Sequence, residues 1–234
     1  MQMTIKSLSK LKCIEREQKE IDRVKQLYSF EDELRRDGYK LIAGVDEAGR
    51  GSLAGAMVVA AVILPPDLFI DHLNDSKKLT HNMREKLYDI IVEKAISFAS
   101  VKVGIEDIDK FNVYQATLRG MYRVVKLLPR QPDYVLTDAM KVKFDEPIKT
   151  KSIIHGDALS ASIAAASIIA KVTRDRMTDY WDREYPQYGF SHNRGYGTKA
   201  HIEAIYKYGS CPLHRRTFEP VKSILSNQVC LFKT

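Results

Sequence analysis

The sequence predicts an α/β domain built around a mixed sheet and preceded by a helical extension. Two observations support this class. Short apolar, β-branched segments alternate with segments whose apolar residues recur every three or four positions, and three strand-like segments lead to carboxylates. The chain has 234 residues, 44% of them hydrophobic, so it is long enough to bury a full core.

Residues 1–40 differ in pattern from the rest. From Leu11 to Leu34 the apolar positions follow helical spacing between charged residues, and Gly38 provides an end for the helix. We therefore divide the chain into an N-terminal helical extension, 1–40, and a main domain, 41–234. We interpret the extension as a packing element. The alternative is a basic arm that touches nucleic acid, and the interleaving of acids and bases argues against it.

The main domain alternates strand-like and helix-like segments. Thr80 and Asn112 are placed to cap two of its helices, and small residues in 162–170 permit close packing of a backbone against a sheet. Strands are predicted over 41–45, within 53–64, and over 99–105, 134–138 and 152–155; helices are predicted over 80–98, 112–128 and 158–177, with short helical pieces after 180.

Composition favours a polyanionic partner and argues against several other classes. Lys and Arg (37) outnumber Asp and Glu (30), giving a formal net charge of +7, which fits nucleic acid. Cys13, Cys211 and Cys230 form no CxxC pair, so we expect neither a zinc site nor a disulfide framework. No apolar run reaches the roughly 18 residues of a membrane span. We expect a cytoplasmic protein without membrane contact and, lacking a heptad or large apolar stripe, a monomer.

Carboxylates follow three of the predicted strands: Asp46-Glu47, Asp138 and, after Gly156, Asp157. In open α/β sheets, sites gather beyond strand ends, and carboxylates that converge there repel one another unless a cation neutralises them. Hard oxygen ligands select Mg²⁺ or Mn²⁺. Two such ions can activate water against a phosphodiester, so the pattern predicts a metal-dependent nuclease.

An alternative interpretation is that each aspartate caps a helix or lies in a turn. For Asp157 taken alone, just before a predicted helix, this alternative would be favoured. It fits Asp46 and Glu47 less well. Neighbours on a strand point to opposite faces, so both can serve one site only where the strand ends or is distorted. The glycines that follow them provide such a place.

Seven blocks in order resemble bacterial ribonuclease HII in its longer form with an N-terminal helical extension. The similarity covers about residues 42–221. The blocks are Gly44-Val-Asp-Glu-Ala-Gly-Arg-Gly51, Asn74-Asp-Ser-Lys-Lys-Leu79, Thr137-Asp-Ala-Met-Lys141, Gly156-Asp-Ala-Leu-Ser160, Ala170-Lys-Val-Thr-Arg-Asp-Arg176, Gly195-Tyr-Gly-Thr198 and His214-Arg-Arg-Thr-Phe218.

The resemblance implies a ribonuclease H-like fold, with a mixed five-stranded sheet flanked by helices and a helical C-terminal segment. It implies cleavage of the RNA strand of RNA–DNA hybrids and of single ribonucleotides embedded in duplex DNA. The chemistry it implies is two-metal-ion hydrolysis with Mn²⁺ or Mg²⁺, which leaves 5′-phosphate and 3′-hydroxyl ends. The partners to expect are therefore RNA–DNA hybrid and ribonucleotide-containing duplex DNA.

The resemblance also assigns roles to single residues. The catalytic carboxylates are Asp46, Glu47, Asp138 and Asp157; the first three are metal ligands, and Asp157 assists the second ion or the leaving group. Contacts to substrate are implied for Gly49, Arg50 and Gly51 at the ribose 2′-OH and scissile phosphate, for Tyr196 at the RNA–DNA junction, and for Lys77, Lys171 and Arg174 at phosphates.

The chain departs from the family pattern at a few positions. Ser52 and Ala56 stand where the family usually has proline, so we expect a looser bend. Thr137 replaces a common aliphatic residue, and its hydroxyl needs a partner if it is buried.

Several interpretations stay open. Arg215 and Arg216 form either a phosphate clamp or a solvated basic turn, while His155 and Trp181 are expected to pack. Two other functions compete with the nuclease: a non-catalytic hybrid-binding protein, and a DNA exonuclease or resolvase of the same fold. An intact acidic set argues against the first, and the Gly-Arg-Gly with Gly-Tyr-Gly pairing argues against the second.

Overall fold

The computed structural model describes residues 5–144 and 148–231, with side chains described from residue 14 to residue 226 within those ranges. The side chains of Cys13 and Cys230 lie outside the described part. In chain order the elements are α1 (Ile5–Leu27), α2 (Ser29–Arg36), β1 (Ile42–Ala48), β2 (Met57–Ile63), α3 (His81–Lys94), β3 (Ser97–Val103), α4 (Ile105–Lys126), β4 (Tyr134–Asp138), β5 (Lys149–Ile153), α5 (Gly156–Leu159), α6 (Ala161–Glu184), α7 (Phe190–Asn193), α8 (Lys199–Tyr208) and α9 (Val221–Leu231).

The five strands form one mixed sheet in the order β3-β2-β1-β4-β5. Strand β2 pairs antiparallel with both β1 and β3, whereas β4 pairs parallel with both β1 and β5. Alternate residues of β2 enter the cores on the two faces of the sheet, one of which is closed by α3 and α6 and the other by α4. The predicted α/β class and the mixed five-stranded sheet flanked by helices are confirmed.

Helix α6 lies directly against the central strand β1. A Cβ placed on Gly44 of β1 would come within 2.1 Å of the Ser162 carbonyl carbon in α6, so the glycine is required for this approach. The first ten residues of α6, 161–170, are all buried. This agrees with the close packing that the small residues predict, and it fixes β1 where the acidic residues begin.

The described helices of the N-terminal extension pack on the main domain. Val24 and Leu27 of α1 join the core beside α6, and Leu34 of α2 packs near Ile42 of β1. Glu31 of α2 is fully buried. These contacts agree with a packing element. The division of the chain at residue 40 stays a prediction. This position lies between the end of α2 at Arg36 and the start of β1 at Ile42.

The structure corrects several predicted boundaries. The predicted helix 80–98 ends at Lys94, and the predicted strands 99–105 and 152–155 are Ser97–Val103 and Lys149–Ile153. β1 continues to Ala48 because its pairing with β2 does not stop at Val45; Asp46 is paired with Ala60 and Glu47 with Val59. The predicted helix 112–128 begins earlier, at Ile105, and kinks at Asn112, whose side chain does cap the amide of Gln115 at 3.1 Å. The predicted helix 158–177 is two helices, since Ser160 adopts an extended backbone between α5 and α6.

Within the described residues, none of the helices combines the length and the apolar character that crossing a membrane requires.

Candidate active site

Three aspartates meet at one edge of the sheet. One carboxylate oxygen from each of Asp46, Asp138 and Asp157 lies within 4.8 Å of the others. The parallel pairing of Val45 with Thr137 places the next residues, Asp46 and Asp138, side by side. Asp157 arrives from α5, where the Gly156 amide donates to Asp138 Oδ1 at 2.8 Å. The sheet and one short helix thus bring together residues far apart in the sequence.

Glu47 lies beside this trio and outside it. The expectation that β1 ends or is distorted at Asp46-Glu47 is wrong, because the strand stays paired through both residues. The Glu47 carboxylate faces Arg50, with 3.8 Å between Oε1 and the guanidinium. Its other oxygen, Oε2, is buried and has no hydrogen-bond partner among the described residues.

Burial and mutual repulsion disfavour the charged forms of these acids. Burial raises the pKa of Asp46 well above its usual value, and the charges of Glu47 and Asp138 raise it further. The pKa of Glu47 rises to about 7, again mainly through burial. Burial also raises the pKa of Asp138. A divalent cation would reverse these shifts and give Glu47 Oε2 a partner, so the acidic set fits a hard metal ion.

Lys77 reaches the acids from a short 3₁₀ turn, Ser76–Lys78. The Asp75 side chain caps the turn by accepting from the Lys77 amide at 2.9 Å. The Ser76 and Ser167 hydroxyls, 2.8 Å apart, join the turn to α6. Lys77 Nζ then lies 3.1 Å from Asp157 Oδ2, with 74% of its side chain still exposed. The ammonium group is therefore both paired with an acid and open to solvent.

The bend at Gly49–Gly51 lies next to the loop that carries Tyr196. The amides of Leu53 and Ala54 both donate to the Gly195 carbonyl, at 2.8 and 3.2 Å. A Cβ on Gly195 would meet the Ala54 oxygen at 2.5 Å. Tyr196 itself is 40% exposed. The structure thus joins the two loops that the sequence singled out, although about 140 residues separate them.

Two of the predicted phosphate-binding residues, Arg174 and Lys171, have side chains that are buried or mostly buried. Arg174 is fully buried and donates to the Ala54, Ala56 and Arg194 carbonyls, so its predicted contact with phosphate is wrong. It lies on the inner side of α6, behind the bend. Lys171 Nζ pairs with Asp175 Oδ1 at 2.7 Å and is mostly buried; its contact with phosphate stays a prediction.

Sequence reasoning missed the role of Arg215. The side chain is fully buried and bonds the Gly49, Arg50 and Gly55 carbonyls. It is therefore neither a phosphate clamp nor a solvated turn. Its place in the block from His214 to Phe218 was the only signal in the sequence, and that block does not say which way the side chain points.

The remaining expectations have mixed outcomes. Trp181 packs in a buried cluster as predicted. Thr137 is buried, and its hydroxyl donates to the Met140 carbonyl, which provides the partner it needs. The prediction of a packed His155 is wrong: the residue is exposed at the start of α5 with φ of 58°. Ser52 does not loosen the bend, since its hydroxyl donates to the Gly49 carbonyl at 2.8 Å.

A mixed five-stranded sheet whose neighbouring strands bring aspartates together, beside a glycine-rich bend, defines a hydrolase of the ribonuclease H class. Comparison with known proteins narrows this class. The sequence profile of the family described as Ribonuclease HII matches residues 43–221. The chain belongs to the ribonuclease HII family, whose members are endonucleases that act on RNA–DNA substrates.

Individual relatives agree with this assignment. The chain is 54% identical over 201 residues to a ribonuclease HII of Acetivibrio thermocellus, covering 86% of this chain and 78% of the relative. It is 50% identical over 211 residues to a ribonuclease HII of Enterococcus faecalis, covering 89% and 81%. Among solved structures, the ribonuclease H2 of Pyrococcus horikoshii OT3 superposes with a TM-score of 0.68 at 26% identity, covering 80% of this chain and 97% of that one.

Proposed function

We propose that this protein cleaves the RNA strand of RNA–DNA hybrids and cuts at single ribonucleotides embedded in duplex DNA. Cleavage leaves 5′-phosphate and 3′-hydroxyl ends. The observation that carries the proposal is the convergence of Asp46, Asp138 and Asp157 within 4.8 Å of one another. The bend at Gly49–Gly51 directly follows β1, the strand that carries Asp46. A substrate group bound at the bend is therefore close to the acids.

The acids are proposed to hold Mg²⁺ or Mn²⁺. Asp46, Asp138 and Glu47 are the assigned ligands, and Asp157 supports the leaving-group side. The raised pKa values of the first three and the unpartnered Glu47 Oε2 support this assignment. When bound, such ions lower the pKa of water and stabilise a leaving alkoxide.

The surrounding side chains are proposed to orient the substrate. The exposed Lys77 ammonium, 3.1 Å from Asp157, is placed to meet a phosphate that enters beside the acids. Arg50, about 40% exposed, lies on the same side as Glu47. Tyr196 is proposed to stack or hydrogen-bond where RNA meets DNA, and the bend is proposed to contact the ribose 2′-OH, the group that distinguishes RNA from DNA.

The sequence-based expectations of a monomer in the cytoplasm are kept as part of the proposal. They rest on the cysteine pattern and on the lack of a heptad or large apolar stripe in the sequence.

Three matched duplexes test the proposal: one all-DNA, one with a single ribonucleotide at its centre, and one uniform RNA–DNA hybrid. Each is incubated with Mg²⁺, with Mn²⁺ and with a chelator. We expect metal-dependent cuts in the second and third duplexes only. The downstream fragment should be ligatable without prior phosphorylation, and the upstream fragment should be extendable by a polymerase.

Other outcomes would point to the competing functions. Equal cutting of the all-DNA duplex would indicate a DNA nuclease of the same fold. Tight binding to the hybrid without any metal-dependent product would indicate a non-catalytic hybrid-binding protein. Either result would overturn the proposed activity.

A further inference from the structure

Two buried guanidinium groups lie behind the Gly49–Gly51 bend. Arg215 donates to the Gly49 and Arg50 carbonyls, each at 2.7 Å, and to the Gly55 carbonyl at 2.9 Å. Its pKa falls to about 9, mainly through burial and also through the nearby charge of Arg174. Burying a cation is costly unless hydrogen bonds satisfy it. Here backbone oxygens of the bend provide those bonds.

Arg174 connects the bend to the neighbouring loop. One guanidinium nitrogen donates to the Ala54 carbonyl at 3.2 Å, and another donates to the Arg194 carbonyl at 2.7 Å. The guanidinium carbon of Arg174 also lies 5.6 Å from the centre of the Tyr196 ring. Arg174 therefore joins the bend to the loop of Tyr196, together with the backbone bonds from the Leu53 and Ala54 amides to the Gly195 carbonyl.

Ser52 closes the arrangement. Its hydroxyl accepts from Arg174 Nη2 at 2.8 Å and donates to the Gly49 carbonyl at 2.8 Å. Arg174 and Arg215 thus both act on the Gly49 oxygen, one through Ser52 and one directly. A proline at position 52 has no hydroxyl to make this link.

These bonds dictate where the amides of the bend point. In a trans peptide the C=O and the following N–H point in opposite directions. With the Gly49 and Arg50 carbonyls directed at buried Arg215, the amides of Arg50 and Gly51 are directed away from it. Gly51 is exposed, and a Cβ built there meets no heavy atom within 4 Å among the described residues. Two adjacent N–H groups directed outward are suited to an anionic or hydroxyl oxygen.

We propose that Arg215, Arg174 and Ser52 are positioning residues: they turn the Arg50 and Gly51 amides toward the substrate and hold them at a fixed distance from Tyr196. We call this set the carbonyl clamp. It rests on the proposed function, because the substrate groups it would serve are the ribose 2′-OH and the adjacent phosphate. Its contribution is to geometry at the ribonucleotide and not to metal binding.

The experiment compares the wild-type protein with Arg215→Gln, Arg215→Lys, Arg174→Lys and Ser52→Ala. For each variant, kcat and KM are measured on the single-ribonucleotide duplex with Mn²⁺, together with Mn²⁺ affinity by calorimetry and the melting temperature. Arg23→Gln is the matched control. Arg23 also donates to a carbonyl, that of Leu73 at 2.9 Å, but this carbonyl belongs to neither of the two loops.

For Arg215→Gln we expect kcat/KM to fall roughly 10- to 100-fold, the scale of a misplacement of about 1 Å. Mn²⁺ affinity should stay within about twofold, because the clamp does not hold the metal. Arg215→Lys should recover part of the loss, since an ammonium can still bond one or two carbonyls. Ser52→Ala, which removes one link, should lose roughly two- to fivefold. The control should match the wild-type enzyme.

The proposal is overturned if folded Arg215→Gln, Arg174→Lys and Ser52→Ala all keep wild-type kcat/KM. It is also overturned if every loss follows the melting temperature and Mn²⁺ affinity in parallel, as a purely structural role would require. If Arg215→Gln does not fold, the Ser52 and Arg174 variants decide by the same criteria. An inactive wild-type protein would instead reject the proposed function, so the two failures are distinguishable.

Discussion

Two neighbouring regions bury charge of opposite sign: the carbonyl clamp and the acidic edge, which consists of Asp46, Asp138 and Asp157 with Glu47 beside them. At the acidic edge, the pKa values of Asp46 and Glu47 rise because burial and the charges of neighbouring acids outweigh the opposing hydrogen bonds and nearby cations. In the clamp, Arg174 and Arg215 are fully buried and burial lowers their pKa values, but backbone carbonyl oxygens accept hydrogen bonds from both guanidinium groups. A bound cation would therefore stabilise the first region, whereas the N–H groups of the second already have acceptors within the fold. This difference predicts opposite responses to removal of charge.

The largest effect is expected for Asp46→Asn. Turnover should fall roughly 100-fold or more because the site loses an anionic ligand, while binding of the duplex should change much less. In chelator, however, the variant should unfold at a higher urea concentration than the wild type, since it removes one of several repelling charges. Single-turnover kinetics and urea melts measure the two parts. Equal losses of turnover and affinity would contradict the role of metal ligand, and lower stability in chelator would contradict the contrast with the clamp.

The second prediction disturbs the clamp by substitutions in the bend that it holds. A Cβ at Gly49, where φ is +89°, would come within 1.9 Å of Arg174 Nε, so Gly49→Ala should lower the free energy of unfolding by about 2–3 kcal/mol. Gly51→Ala is the matched control for stability, because its Cβ would project into open space. It should melt like the wild type yet raise KM, since the methyl group stands where substrate is proposed to approach. Equal melting temperatures for both variants would mean that the clamp does not constrain the bend.

The two regions also differ in how far the sequence predicts them. Asp138 at the end of an apolar strand and Asp157 after a glycine are visible as a pattern, because strand ends and acids are local features. The clamp is not visible, since Arg215 bonds residues about 165 positions away, and no local pattern distinguishes a buried arginine from a solvated one. The same reason explains the wrong placement of Arg174. The wrongly predicted end of β1 has another cause. Pairing with β2 extends the strand from Val45 to Ala48, up to the glycine-rich bend.

The third prediction concerns pH and the loop of Tyr196. The Cys211 amide donates to His214 Nδ1 at 2.9 Å, the His214 and His201 Nε2 atoms are 3.1 Å apart, and His201 Nδ1 lies 2.8 Å from the Tyr196 carbonyl. One proton on each ring satisfies this chain. A further proton on His214 Nδ1 would lose the bond from the Cys211 amide and would find the Cys211 carbonyl only at 3.3 Å. Burial, with the nearby charge of His201, lowers the pKa of His214 to about 4, from 6.5.

Because the unfolded state binds the proton more readily, stability from His214 is fully present above pH 6.5 and is lost as pH falls toward 4. We expect a loss on the order of 2 kcal/mol over that interval. Urea melts at several pH values measure it, with His214→Gln as the comparison. The variant should be less stable at neutral pH but should show a flatter dependence between pH 6.5 and 4. Parallel curves for the two proteins would exclude His214 as the source.

The smallest effect is expected for a buried acid that lies at the N-terminus of a helix and not among other carboxylates. Oε1 of Glu31 in α2 accepts from the Ser160 hydroxyl at 2.6 Å and from the Ser162 amide at 2.9 Å, while Oε2 has no hydrogen-bond partner among the described residues. It therefore lies at the N-terminus of α6, where a negative charge is favourable. Glu31→Gln should lower the free energy of unfolding by about 1 kcal/mol, with kcat and KM unchanged. Asp46→Asn and Glu31→Gln both neutralise a buried carboxylate, yet they should shift the urea midpoint in chelator in opposite directions. Shifts in the same direction would show that burial alone, and not the neighbouring charge, sets the stability of a carboxylate in this fold.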